Sequence, residues 1–408
     1  MHFLQYKIRI IYNIMKFKVL TFLLAVSMVG TLLQGAPIEI RKRVEENPSL
    51  SIHYSNVSPV LQREIENMIR ASNWFSIVRD GNADYMLEVR QGQRLGYILT
   101  EGRVRKGLQS TVPGHNEREK AKYLVDSVLN DAFKIPPLCR TRIAFSMGSS
   151  INKRNIYMAD IDGQRIQQIS RFNSLCVEPG FFPDGKSIAY SKYNKSSMDV
   201  VQTSFSPYRS RRLSAFAGLN TGAAIDPSGR YIALILSKDK QVELYLKAVE
   251  STLMRRLTRD KAVEASPCFS PDGKWICYLS DRSGRPELYI CDLYGGNKRK
   301  LPSVGREALT PDWSTDNKIV YITRIDGEYR IAVLDMKNNR NELVPNLTGR
   351  WESPSWAPDN RHIVCSQTFN GGQSSSLFII DTFTGRKRQL FRNGNYFSTP
   401  NWSKKTVE

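Results

Sequence analysis

Short apolar runs separated by polar turns fill most of the chain, and the segment 264–301 shows the unit most completely. It reads E-A-S-P-C-F-S-P-D-G-K-W-I-C-Y-L-S-D-R-S-G-R-P-E-L-Y-I-C-D-L-Y-G-G-N-K-R-K-L. Each apolar run has strand length, is rich in β-branched and aromatic residues, and is bounded by Gly, Pro, Asp or Asn. The turn at Pro271, Asp272 and Gly273 reverses the first run into 274–279. The loop 281–286 leads into a strand over 287–292, and the turn 294–297 leads into a last short basic strand. This pattern predicts a four-stranded antiparallel meander. A single meander cannot bury both of its faces, so it needs neighbours.

The same unit recurs along the chain. Its second strand returns as I-A-F-S from Ile143, I-A-Y-S from Ile188, I-A-L-I from Ile232, I-C-Y-L from Ile276, I-V-Y-I from Ile319 and I-V-C-S from Ile363. The steps are 45, 44, 44, 43 and 44 residues. The turn ahead of that strand keeps the same period, as F-P-D-G-K at Phe182, D-P-S-G-R at Asp226, S-P-D-G-K at Ser270, S-T-D-N-K at Ser314 and A-P-D-N-R at Ala357. A period near 44 with four strands per unit predicts β-propeller blades, in which each sheet packs its faces on its neighbours. Six copies predict six blades.

The two ends of the array are complementary. Four repeats carry a first strand in which Ser, Thr or Glu precedes Pro and an aromatic follows one residue later: Glu178–Phe181, Ser266–Phe269, Thr310–Trp313 and Ser353–Trp356. The first repeat lacks this strand, and Thr399-Pro400-Asn401-Trp402 supplies a further copy near the C-terminus. The last strand is therefore expected to complete the first blade and leave the ring without an open edge.

Residues 38–135 have a different texture. Strands are expected over 50–54, 75–79, 85–90 and 97–104. Ser58 is placed to cap a helix bearing Leu61, Ile65, Met68 and Ile69 on one face. Asn116 and Glu119 form a capping box ahead of a stripe of Ala121, Leu124, Val125, Val128, Leu129 and Ala132, read as core against the sheet. The fold class is therefore mainly β: a small N-terminal α/β domain (38–135), a linker at Ile135-Pro136-Pro137, and a C-terminal six-bladed propeller (140–408).

Composition adds compartment and charge. The chain has 408 residues and a formal net charge of +20, or +16 without residues 1–36. An excess of this sign admits nucleic acid, an anionic membrane surface or acidic glycans as partners. No arginine-rich run, aromatic RNA-binding pair or zinc finger points to nucleic acid. Residues 1–36 are read as a signal peptide, with Met15 as an alternative start: Lys16 and Lys18 precede an apolar run over 19–33, and small residues follow at Gly35 and Ala36. Six cysteines are present, four of them (Cys268, Cys277, Cys291, Cys365) at strand positions expected to be buried as free thiols. The hairpin through Pro271 would set Cys268 opposite Cys277, where a cross-strand bridge would also fit. With no Cys-x-x-Cys pair, neither a zinc site nor any other metal or cofactor is expected.

With these motifs in place, the chain resembles the TolB family of periplasmic propeller proteins in the Tol–Pal system. The likeness rests on Asp131-Ala132-Phe133, Arg140-Thr141-Arg142-Ile143-Ala144-Phe145, Ala159–Gly163 (A-D-I-D-G) and Pro400-Asn401-Trp402-Ser403. The S-P-D-G-K turn also occurs in propellers of prolyl-oligopeptidase-type proteases, but those lack an α/β domain in front. The resemblance implies a non-enzymatic, monomeric binding protein of the periplasm, peripheral to the envelope membranes. It implies that the lipoprotein Pal docks at the channel mouth and that the mature N-terminus contacts TolA, in support of outer-membrane integrity and cell division.

No catalytic residues are expected. A hydrolase of this build would need a Gly-x-Ser-x-Gly elbow, which is absent. The aspartates Asp184, Asp272 and Asp359 are read as capping their own turns, and His362 beside the last of them as a solvated surface group. The alternative function is binding of acidic envelope glycans or peptidoglycan. For partner binding, the loops entering the first strand of each blade are expected to rim one mouth of the channel. Glu264, Arg306, Glu307, Arg350, Trp351, Glu352 and Tyr396 lie there, a mixture of Arg, Trp and Tyr suited to a protein-binding hot spot. Export through the 19–33 segment predicts a mature chain beginning near Ala36 or Pro37. N-terminal sequencing that finds Met1 or Met15 intact on membrane-bound protein overturns it.

Overall fold

The computed structural model describes residues 47–79, 82–369, 374–391 and 395–407. The signal segment and the chain up to Glu46 lie outside the described residues. From Asn47 onward the chain forms one compact unit.

The N-terminal part holds a five-stranded mixed sheet. Its strands are β1 (Ser49–Ser55), β2 (Ser76–Ile77), β3 (Tyr85–Gln91), β4 (Leu95–Glu101) and β5 (Val104–Gln109), in the order β2-β1-β3-β4-β5. β1 pairs in parallel with β2 and β3, and the β3-β4 and β4-β5 pairs are antiparallel. Helices α1 (Pro59–Ser72) and α2 (Glu117–Phe133) pack against it. The Ser58 hydroxyl accepts from Leu61 N at 3.2 Å, as the capping pattern requires. At α2 the box is displaced by one residue: Asn116 Oδ1 accepts from Glu119 N, while Glu119 Oε2 accepts from His115 N. The expected strand over 97–104 is instead a hairpin. Gly102, at φ +55, turns the chain between β4 and β5, within the polar run 100–103.

Six four-stranded antiparallel sheets follow. Blade I consists of Tyr396–Trp402, Arg142–Ser150, Lys153–Asp160 and Gln167–Gln168, from the axis outward. Blades II to VI begin on the axis with Cys176–Phe181, Asn220–Ile225, Glu264–Phe269, Ala308–Trp313 and Arg350–Trp356. The last strand closes the ring as expected, with Phe397 opposite Met147, Ser398 opposite Ser146 and Trp402 opposite Ile143. Trp402 is 1 % exposed, and its indole donates to Thr141 Oγ1 at 2.8 Å. All six cysteines are buried and free, with Cys268 opposite Cys277 in the register.

The N-terminal part is attached to blades I and VI. Asp160, fully buried in the A-D-I-D-G turn, meets Arg118 at 2.9 Å and Lys122 at 2.7 Å from α2, and Arg142 at 3.2 Å from its own blade. On blade VI, Asp359 caps its turn by accepting from Arg361 N and His362 N. Its second oxygen accepts from the Trp74 indole at 2.9 Å and lies 2.7 Å from His362 Nδ1. His362 is thus fully buried and packed edge-on against Trp74, not solvated. The strand-edge position suggested exposure in the sequence, but the docked α/β domain covers it.

Deleting the chain from Thr399 onward removes most of the closing strand and bares the edge of blade I. Because that blade packs on both neighbours and carries the Asp160 contacts, one global transition at a sharply lower melting temperature is expected. Calorimetry showing an unchanged transition contradicts the closure.

Candidate functional site at the open mouth of the channel

Each innermost strand runs from one mouth of the channel to the other and ends at the Pro-Asp-Gly-type turn. The α/β domain is bonded to that turn side, through Asp359, Arg361 and the turn at Asp160–Gly163. The opposite mouth, where the innermost strands begin, is free of it. Antiparallel connectivity brings the second-to-third strand hairpins of every blade to this same open side.

Halfway along, every innermost strand bulges. The residues at the bulge are Glu178, Gly222, Ser266, Thr310, Ser353 and Thr399, all at positive φ between +45 and +66. The ladder slips at the same place in all six sheets. A left-handed non-glycine residue costs about 1 kcal/mol. Five of the six bulge residues are not glycine, and this repetition assigns the strain to the architecture of the ring, not to one site. Between the bulges and the turn side lies a cavity of about 370 Å³ lined by prolines and by Phe181, Ile225, Phe269 and Trp313.

The seven residues expected at the open mouth divide in two. Arg306 and Arg350 are exposed, and Tyr396 and Glu307 are half-buried. Burial raises the Glu307 carboxyl above its ordinary range, against the Arg324 charge that lowers it. Glu352 is 9 % exposed, with Thr368 Oγ1 3.4 Å from its carboxylate. Trp351 and Glu264 are fully buried. Trp351 was placed in a loop by the sequence, but the strand already begins at Arg350. Alternation then turns Trp351 into blade VI, edge-on to Phe378 at 5.6 Å and under the Lys387 ammonium at 5.1 Å. It belongs to the core. Glu264 points into blade IV and pairs with Arg282 at 2.9 Å.

The structure adds residues that the sequence reading passed over. Arg154, 4 % exposed, donates to Ser398 Oγ at 2.7 Å. Burial pulls its guanidinium down to about 10, while the Glu352 carboxylate and the Tyr193 and Tyr396 hydroxyls act to raise it. Tyr329 is raised by burial and by Glu307 and Glu352, and lowered by Arg324 and Arg350. Arg154, Tyr193, Arg324 and Tyr329 all sit on second-to-third strand hairpins or their edges, which topology alone assigns to the open side. The mouth therefore gathers guanidinium, carboxylate and tyrosine groups on blades V, VI, I and II. Such a surface binds by charge-assisted hydrogen bonds and aromatic contact, and its partly desolvated charges favour a partner of matching charge. Among the described residues, no three His, Cys, Asp or Glu side chains converge as a metal site requires.

Comparison with known proteins bears on this geometry. The family model of the TolB beta propeller domain matches residues 135–406. The chain is 35 % identical over 80 residues to the Tol-Pal system protein TolB of Desulfotalea psychrophila, covering 18 % of each. It is 26 % identical over 167 residues to that of Wigglesworthia glossinidia brevipalpis, covering 40 % of this chain and 37 % of the relative. The chain thus aligns with well under half the length of these curated relatives. The crystal structure of TolB from Acinetobacter baumannii superposes with a TM-score of 0.80 at 21 % identity, covering 88 % of this chain and 97 % of that one. That likeness extends through the N-terminal part as well as the propeller.

Burial pushes the Glu264 carboxyl up to about 8, with the Arg282 charge opposing. The unfolded chain releases this proton near the ordinary 4.5, so between those values the folded state binds more protons. This contribution to stability therefore falls as pH rises through that window and is recovered on acidification. Melting curves of Glu264→Gln against the parent are expected to diverge in favour of the variant near pH ~9 and to converge near pH ~5. Parallel curves at both values contradict the raised carboxyl.

Proposed function

The chain belongs to the TolB beta propeller family, and from that premise we infer that it is a non-enzymatic, protein-binding component of the Tol–Pal system. Its open channel mouth receives the lipoprotein Pal, and the segment ahead of Asn47 contacts TolA. It works in the periplasm, following export, in the service of outer-membrane integrity and cell division.

The observation that carries this reading is the composition of the open mouth. Arg306 and Arg350 are exposed there, Tyr396, Tyr329 and Glu307 are half-buried, and Glu352 is largely withdrawn from water. Hot spots combine Arg and Tyr with groups already partly desolvated, because little further dehydration is required on binding. The attachment of the α/β domain to the opposite side leaves this mouth free for a partner of domain size. The buried mouth residues, Trp351 and Glu264, hold the rim in place without touching the partner.

Replacing Arg306 and Arg350 together by Ala is expected to weaken Pal binding by about 2 kcal/mol or more, in the range of hot-spot truncations. The melting temperature should be preserved, since both side chains are exposed. Trp351→Ala serves as the contrasting variant: it empties a fully buried site and should destabilise the propeller by about 3–5 kcal/mol. Titration calorimetry against purified Pal, paired with thermal melts, decides between them. Unchanged affinity in the folded Arg306/Arg350 double variant removes the site from this mouth.

A further inference from the structure

The outer wall of blades II, III and IV carries a feature that docking at the channel mouth does not use. Its elements are the outermost strands Tyr208–Ser214, Met254–Arg256 and Arg299–Lys300 with the turns that lead into them. Segments 206–214, 249–256 and 292–300 hold eight Lys or Arg and two acids. They form one continuous surface. Arg211 of blade II pairs with Glu250 of blade III, and Arg255 of blade III donates to Leu293 O of blade IV at 3.3 Å. The Arg255 guanidinium also lies 4.6 Å above the Tyr294 ring. Arg209, Arg212 and Arg299 are exposed and have no ion pair among the described residues.

Within this basic field stand the two most exposed large apolar side chains of the described residues, Leu253 (81 %) and Tyr294 (78 %). The bland explanation is edge protection, because charge on an outermost strand deters pairing with another sheet. Blade V shows that edge protection needs no such field: its outermost strand, Arg340–Leu343, balances Arg340 with Glu342. Nor does edge protection call for an exposed leucine and tyrosine at the turns. Blades I and VI bond the α/β domain instead, so this wall lies on the far half of the ring from it.

We propose that the wall of blades II–IV docks on an anionic lipid surface, with Arg212, Arg255 and Arg299 facing headgroup phosphates and Leu253 and Tyr294 entering the headgroup–acyl boundary. Each Lys or Arg near an anionic bilayer contributes attraction that salt screens, and exposed Leu and Tyr add apolar burial that salt does not screen. The leucine favours lipid over an acidic polysaccharide, since a sugar polymer offers an aliphatic side chain nothing to bury in. Part of the chain's positive excess is thereby given a location and a use. The wall and the open mouth are separate surfaces, so lipid contact leaves the mouth accessible.

The test is co-sedimentation of the purified full-length protein with vesicles of phosphatidylglycerol and phosphatidylcholine, against pure phosphatidylcholine vesicles, at low and high salt. Binding is expected only to the anionic vesicles and should decline with salt. The triple variant Arg212→Ala, Arg255→Ala, Arg299→Ala should bind about a hundredfold more weakly, and Leu253→Ser about tenfold more weakly. These side chains are exposed, so both variants should melt like the parent, and the triple variant should keep its affinity at the channel mouth. Equal binding to both vesicle types overturns the proposal, as does undiminished binding by the triple variant. Binding that a soluble acidic polysaccharide reproduces and Leu253→Ser leaves unchanged also overturns it, in favour of a glycan.

Discussion

The pairing of Tyr396–Trp402 with Arg142–Ser150 is the constraint on which the rest of this structure depends. A ring of six twisted sheets made from one chain must bring distant segments into a single blade, and here they meet in blade I. The same blade receives the α/β domain. Asp160 is fully buried among Arg118, Lys122 and Arg142, the Trp402 indole binds Thr141, and Ser403 Oγ accepts from Arg142 N at 3.0 Å. Closure and domain docking are therefore not independent. Loosening the last strand also loosens the arginine that completes the Asp160 cluster. Such a buried cluster adds little net stability over a packed apolar contact, because desolvation offsets most of the attraction. Removing one partner strands the others, so the cluster holds the domains to one arrangement.

A second attachment shows how a repeat becomes an interface. In blades II and IV the turn aspartates, Asp184 and Asp272, cap their own turns and nothing more is asked of them. In blade VI the equivalent Asp359 keeps that role with one oxygen and turns the other toward Trp74 and His362. Arg361 stacks over the Trp74 ring at 4.6 Å while pairing with Asp381 at 2.6 Å. The local chemistry of the turn is unchanged; its surroundings supply the new function.

This contrast explains what the sequence could and could not disclose. Blade number, turn position and closure were legible because each rests on local landmarks repeated at a fixed period. The caps of both helices were legible for the same reason, since a cap is set by residues three apart. The fate of single side chains was not. Trp351 and Arg350 are adjacent in sequence and differ only in which side of a strand they face, and one residue of error in the strand's start reverses the assignment. His362 looked exposed because its cover arrives from residue 74. The turn at Gly102 stood in the polar run 100–103, where a single glycine marks the reversal. Arg154 and Tyr329 went unnoticed because their place at the mouth follows from topology and not from the loops entering the innermost strands.

The bonds between neighbouring innermost strands vary around the ring, and the variation follows the attachment of the α/β domain. Asp312 accepts from Trp356 N of the next blade at 2.7 Å, Ser355 from Trp402 N at 3.1 Å, and Asn401 from Phe181 N at 3.1 Å. Glu178 extends the series by accepting from Gly222 N at 3.3 Å. These links run from blade V through VI and I to III, spanning the blades that carry the α/β domain. At the corresponding positions toward blades IV and V the residues are Gly222 and Ala224, then Ser266 and Cys268. Among the described residues these make no such side-chain bond across the channel wall. Gly and Ala have no polar side-chain atom to offer, so contact there rests on close approach, with Pro267 only 3.0 Å from where a Gly222 Cβ would stand. Four of the six junctions are laced and the two flanking blade IV are packed, so the directional bonds concentrate where the α/β domain is borne. The two packed junctions flank blade IV, which carries the exposed Tyr294, and small adjustments between blades cost fewer directional bonds there.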